Sequence, residues 1–242
     1  MKSYNRSFTA SAMVCFSLLA ATPLFAQRPP TEKETQPGVK ILSSQALASD
    51  DVSRRISDSI SSNKAVAALA AHLGKGGYKE QTGPADFFGY EIIHQGKGGR
   101  TATTTIILQN YAKADTDEQA ALALTTIFEG SPVGQTSGNR AASYAFALLG
   151  NFEKPTEYRV DDQNNVVLAH SWWSCFVNTV RTRCARTCIS ALSTCSSIRT
   201  FAGLINCVVR TTGCTGCVLA AMACCTCNCN FLCSWATGCC RI

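Results

Sequence analysis

The sequence predicts an α+β domain that lacks cysteine, followed by a small all-α domain stapled by disulfides. Three observations carry this. Fourteen of the fifteen cysteines fall in the last 72 residues. Residues 27–170 hold all 16 acids of the chain against 14 Lys and Arg, whereas residues 171–242 hold six arginines and no acid or lysine. Hydrophobic periodicity also changes along the chain, from mixed strand and helix spacing in the middle to helical spacing at the end. A shift in charge and in cysteine usage at the same place marks a domain boundary. With the polar turn cluster Asp161 to Asn165 beside it, the expected segments are 1–26, 27–165 and 166–242.

The first segment, "MKSYNRSFTASAMVCFSLLAATPLFA", has Lys2 and Arg6, an apolar run and a break at Pro23, the pattern of a secretory signal. Cleavage is expected between Ala26 and Gln27. Cys15 leaves with the signal, so the mature cysteine count is even.

In the middle segment, "SDDVSRRISDSISSNKAVAALAAHLGKGG" reads as helices capped by Ser49 or Asp50 and restarted at Asn63, stopping at Gly74, Gly76 and Gly77. "FFGYEIIHQ" and "TATTTIILQNY", joined by "GKGG", read as a hairpin. "DTDEQAALALTTIFEG", with Asp115 and Glu118 in capping-box spacing, reads as a helix. "RAASYAFALLG", "TEYRV" and "NVVLAH" read as three short strands. This length supports one core without covalent staples.

No catalytic constellation is found here. Neither "GKGG" has the glycine or the Ser/Thr of a phosphate loop. His72, His94 and His170 have no metal-ligand spacing, and there is no GxSxG elbow. Asp50–Asp51 and Asp161–Asp162 fit helix starts and turns. The expectation is a non-enzyme with no cofactor.

The disulfide candidates are Cys175, Cys184, Cys188, Cys195, Cys207, Cys214, Cys217, Cys224, Cys225, Cys227, Cys229, Cys233, Cys239 and Cys240. Cys184, Cys188 and Cys195 share one helix face by spacing, as do Cys214, Cys217 and Cys224, and Cys225, Cys229 and Cys233 continue by fours. Two or three short helices with facing cysteine stripes follow, since facing stripes set Cα atoms about 5–6 Å apart. Seven bridges cannot be assigned from spacing. "CCTCNC" also has the lettering of a soft-metal thiolate cluster, but export favours pairing, and metal-organised coils do not need the tail's long apolar runs. Thioether-bridged peptides normally mature behind a different leader.

Arg181, Arg183, Arg186, Arg199 and Arg210, with Trp172, Trp173 and Trp235, are the candidate membrane contacts. A cationic end joined to an apolar end is retained on anionic lipid, at about 1 kcal/mol per arginine. The alternative is an apolar core with a solvated arginine face. Arginines without ordered aromatic spacing give a weak nucleic-acid footprint, so no nucleic-acid partner is expected.

A signal, a cysteine-free proregion and a C-terminal peptide beginning near "SWWSC" and studded with cysteine resemble precursors of the halocin-C-eight-like, or microhalocin, cysteine-rich bacteriocins. The resemblance covers roughly residues 172–240. It implies a secreted antimicrobial peptide released by proteolysis, with the middle segment serving as an immunity or holding domain in cis. The sequence differs from that pattern in having more cysteines and no twin arginine in its signal, which leaves pairing and export route open. The alternatives are a secreted structural or adhesion protein kept as one chain, and a metallothionein-like metal store.

Overall fold

A computed structural model describes residues 40–95, 99, 101–129, 139–169 and 172–226. The signal region, Ala26 and Gln27 with it, and residues 227–242, which include Cys227, Cys229, Cys233, Trp235, Cys239 and Cys240, lie outside the described residues, as does His170.

The chain begins with β1 (Lys40–Ala46) and crosses one sheet face as α1 (Ser49–Ser62) and α2 (Lys64–Lys75). It returns through β2 (Tyr78–Glu80) and a 3-10 turn at Pro84–Asp86 into β3 (Phe87–Gln95). A meander follows: β4 (Thr101–Lys113), β5 (Gln119–Glu129), β6 (Asn139–Leu149), β7 (Thr156–Val160) and β8 (Val166–Ala169). Four helices complete the described chain: α3 (Trp172–Arg183), α4 (Arg186–Cys195), α5 (Phe201–Arg210) and α6 (Thr215–Thr226).

The sheet is antiparallel throughout, in the order β1-β3-β4-β5-β6-β7-β8, with β2 alongside the end of β4 that β3 leaves unpaired. β1 starts at one edge and β8 closes the other. Pairing parity decides which residues look which way. Ile106 pairs with Thr125 and Ala123 with Phe146, so one face collects Phe88, Tyr90 and Ile92 of β3, Ile106 and Leu108 of β4, Ala121 and Ala123 of β5, and Phe146 and Leu148 of β6. The opposite face collects Phe87, Ile107, Tyr111, Leu122, Leu124 and Ala147, packed on α1 and α2 through Val52, Ile56, Val66, Leu69 and Leu73. The first face packs on α3–α6, so the sheet is the middle of three layers.

Local signals explain much of this. Asn63 accepts hydrogen bonds from the Ala65 and Val66 N–H groups and restarts the helix as α2, and Gly76 caps its end. Neither Ser49 nor Asp50 is the cap of α1: Ala48 holds that position without a side-chain bond, while Asp50 and Asp51 sit in the first turn, where the helix dipole favours them. Gly89 is required by packing, since a Cβ there would collide with Val52 and Leu47. The hairpin β3–β4 and the strands β6, β7 and β8 stand where the sequence predicts them.

Residues 119–129 do not form the expected helix. They form β5, the strand between β4 and β6, with Ala120 to Leu124 and Ile127 buried. A strand covered on both faces needs apolar residues at consecutive positions, and such a run has no period to separate it from a buried helix. Asp115, at the proposed cap, instead has φ 64° in the β4–β5 turn. β1 and β2 are not among the elements expected from the sequence.

Candidate functional site

The helical layer α3–α6 is covalently closed on itself. Cys175–Cys225, Cys184–Cys217, Cys188–Cys214 and Cys195–Cys207 are disulfides with Cα separations of 5.6, 5.7, 5.4 and 5.9 Å. Each pair lies inside the one before it in sequence, so the bridges are the rungs of a ladder whose uprights are α3–α4 and α5–α6. Cys224 is disulfide-bonded as well. These nine cysteines are therefore half-cystines, with no thiolate to offer a metal, and among the described residues no group of three His, Cys, Asp or Glu is placed to hold one.

Of the expected stripes, Cys184 and Cys188 meet Cys217 and Cys214, whereas Cys195 pairs with Cys207 and Cys225 with Cys175, and Cys229 and Cys233 lie outside the described residues. Cys184, Cys188 and Cys195 do not share a helix. α3 closes at Cys184, whose N–H reaches Val180 O at 3.2 Å, and α4 begins after Ala185, which is extended at φ −59° and ψ 155°. The layer thus has four described helices rather than two or three. The break lets Cys184 and Cys188 face Cys217 and Cys214 while α4 turns to follow α5, so that Cys195 finds Cys207.

The layer is joined to the sheet by apolar contact. Trp172 and Trp173, 4% and 5% exposed, sit in an aromatic cluster. Trp172 stacks on Phe176 with ring centroids 5.5 Å apart and lies 4.7 Å from Phe146 of β6, while Phe201 meets Trp173 edge-on at 5.2 Å. α6 is buried on all sides from Gly216 to Ala223, as a helix without an amphipathic face must be. In the intact chain both indoles are covered, Trp172 by Phe146 of β6 and Trp173 by Phe152 and Phe201.

Buried polar groups at the seam are paired. The Trp172 indole N–H donates to Thr226 Oγ1 at 3.0 Å, Thr226 donates to Met222 O at 2.9 Å, and Thr125 Oγ1 of β5 lies 3.4 Å from the Thr226 hydroxyl. Asn110 of β4 accepts the Ala202 N–H at 3.0 Å in the first turn of α5, beside the Thr200 cap, and Asn206 of α5 donates to Phe87 O at 2.9 Å. Glu157 of β7 accepts the Trp172 and Trp173 N–H groups at 2.9 and 3.4 Å, so the sheet supplies an acceptor to the first turn of α3. Sequence reasoning missed these partners. Asn110 had a signal, a polar side chain interrupting an apolar strand; Glu157 in "TEYRV" had none.

The sheet continues to Ala169, four residues past the expected segment limit at 165 and just short of the change in composition at 170–171, because β8 pairs with β7 from Val166 to Ala169. The turn between them is built on Asp161, which accepts the N–H groups of Gln163 and Asn165 at 2.9 and 2.8 Å. These bonds, the Asn165 backbone foremost, hold its carboxyl below the usual range. Beside β8 an open groove of about 800 Å³ is lined by Phe152, Lys154, Leu168, Trp173, Val177 and Arg181. Arg181, Arg183, Arg186, Arg199 and Arg210 are all exposed. His72 packs its ring on Tyr158, and His94 is buried against Thr104, so both serve packing.

Comparison with protein-family models, with curated proteins and with solved structures finds no match to this chain.

Proposed function

We propose that this chain is the secreted precursor of a cationic, disulfide-rich antimicrobial peptide, freed from its C-terminal part by proteolysis and acting on target-cell membranes. One observation carries the reading: every bridge whose two cysteines are described joins two residues of the helical layer, and residues 27–174 contain no cysteine. A cut near the β8–α3 junction therefore leaves the layer cross-linked within itself and held to the sheet by non-covalent contact alone. The face that covers the sheet carries Trp172, Phe176, Phe201, Ile205 and Val208, while the arginines point outward. On separation, that oily face becomes available to a lipid bilayer, and in the uncut chain the sheet masks it. The middle segment acts as the holding domain. The bridges themselves belong to a chain that matures under oxidising conditions, in keeping with export.

A second reading is favoured by the shared core: buried residues of the sheet and of the helical layer form one continuous cluster. A structural or adhesion protein that functions uncut would be built this way.

Intact mass of the exported product under non-reducing conditions separates the two. A fragment beginning near residues 166–172, roughly 8 kDa by proportion from 25.8 kDa for 242 residues, that makes anionic vesicles leak supports the peptide. An uncut chain, or a fragment without effect on vesicles, overturns it.

A further inference from the structure

The exposed arginines are not spread evenly over the helical layer. Arg183 ends α3 and Arg186 begins α4, and the bridges Cys184–Cys217 and Cys188–Cys214 hold this corner against the α5–α6 turn. Arg210 ends α5 at that same turn, where the Thr211 N–H reaches Val208 O at 3.2 Å and the Cys214 N–H reaches Thr211 O at 3.0 Å. Two disulfides therefore gather Arg183, Arg186 and Arg210 at one pole. The helices packed there, α3 to α6, contain no acid. Arg199 lies at the other end, beyond Cys195–Cys207, where it pairs with Asp117 at 2.9 Å.

We propose that the uncut chain docks on anionic lipid surfaces through this arginine pole while Trp172 and Trp173 stay buried. The inference rests on the reading that a lipid membrane is the target, and adds that attachment precedes release of the peptide. Guanidinium groups suit phosphate because they donate two parallel hydrogen bonds. A backbone cross-linked around them has little freedom to lose on binding. The ligand is a lipid surface rather than a nucleic acid because three of the five described arginines of the helical layer form a compact pole instead of a stripe, with Arg181 in the groove beside β8 and Arg199 at the far end, and the described tail aromatics Trp172, Trp173, Phe176 and Phe201 are buried, leaving no stacking platform among them.

The test uses the full chain carrying Trp235→Phe, so that Trp172 and Trp173 are its tryptophans, with phosphatidylcholine vesicles, with and without phosphatidylglycerol. Co-sedimentation is expected only with phosphatidylglycerol, is expected to fall as salt rises, and is expected to leave acrylamide quenching of tryptophan unchanged. Arg183→Gln, Arg186→Gln and Arg210→Gln together are expected to weaken binding about a hundred-fold, from about 1 kcal/mol per arginine. The corresponding three Arg→Lys changes retain most of it, and Arg199→Gln changes it by less than about threefold. Absence of phosphatidylglycerol-dependent binding overturns the proposal, as does an Arg199→Gln loss equal to that at the pole, increased protection of tryptophan from the quencher on binding, or tighter retention on a DNA duplex than on vesicles. An uncut chain that fails to bind, beside a released peptide that still causes leakage, removes this proposal and leaves the peptide reading standing. An uncut chain that binds through the pole, beside an inert peptide, does the reverse.

Discussion

The Glu157 carboxylate accepts the backbone N–H of Trp172 at 2.9 Å, so a sheet residue caps the first helix of the disulfide-linked layer. The two stand on either side of the junction where the composition changes. Caps of this kind are worth about 0.5–2 kcal/mol, and an ionised acceptor lies toward the upper end. Glu157→Ala should lower the stability of the intact chain by about 1–2 kcal/mol in urea unfolding, and Glu157→Gln should restore part of it. A change indistinguishable from zero would mean that α3 does not use this cap in solution.

Thr226 Oγ1 accepts a hydrogen bond from the Trp172 indole N–H in a buried site. Thr226→Val keeps the shape and leaves that N–H without its acceptor, at a cost of about 1–3 kcal/mol. Trp172→Ala removes the ring stacked on Phe176 and should cost about 3–5 kcal/mol. Both losses are read by thermal or urea unfolding of the oxidised chain, and equal effects would argue against this account of the seam.

Nested bridges should not contribute equally. Cys184–Cys217 lies only four and three residues from its inner neighbour Cys188–Cys214, so removing it opens little new chain. Cys175–Cys225, with a separation of 50, is the outermost of the four. Replacing each pair by alanine should cost roughly 2–4 kcal/mol, with the outermost pair at the top of that range and Cys184–Cys217 near the bottom. Unfolding of the four double variants checks the order, and the reverse order would contradict the ladder.

Tyr78 is buried and donates to Glu118 at 3.0 Å; burial first, then this bond, pushes its phenol up to about 12. Burial also pushes the Tyr111 phenol upward, together with the nearby Glu80 carboxylate. In the unfolded chain a tyrosine ionises near pH 10. The unfolded state therefore releases its proton first. The stability these phenols contribute is complete below about pH 10 and is lost as pH rises toward about 12. Alkaline unfolding followed by circular dichroism should show that fall, and Tyr78→Phe should make it shallower.

Asp117 and Arg199 are 90% and 73% exposed in their side chains. Such a pair contributes between nothing and about 1 kcal/mol. Asp117→Asn should leave the unfolding midpoint nearly unchanged even at low salt. A large loss would show that charge, rather than the aromatic seam, holds the two layers together.

By itself the sequence determined the elements whose signals are local. Asn63 separates two helices, "GKGG" separates two strands, Asp161 organises a turn, and cysteine density with an acid-free tail defines a disulfide-linked cationic layer. Each depends on a few neighbouring residues, and the backbone there has one cheap solution. Tertiary structure alone decided three other things. Residues 119–129 became a strand because β4 and β6 offer hydrogen-bonding edges on both sides and helices cover both faces, a setting in which "AALAL" carries no usable period. The pairing of the cysteines followed from the break at Ala185, which sets which stripe meets which, and spacing alone permits many other arrangements. Burial of Trp172 followed from the parity of strand pairing, which turns Phe146 toward it: an apolar residue states that it will be covered, and only the opposing surface decides whether a sheet or something outside the chain covers it.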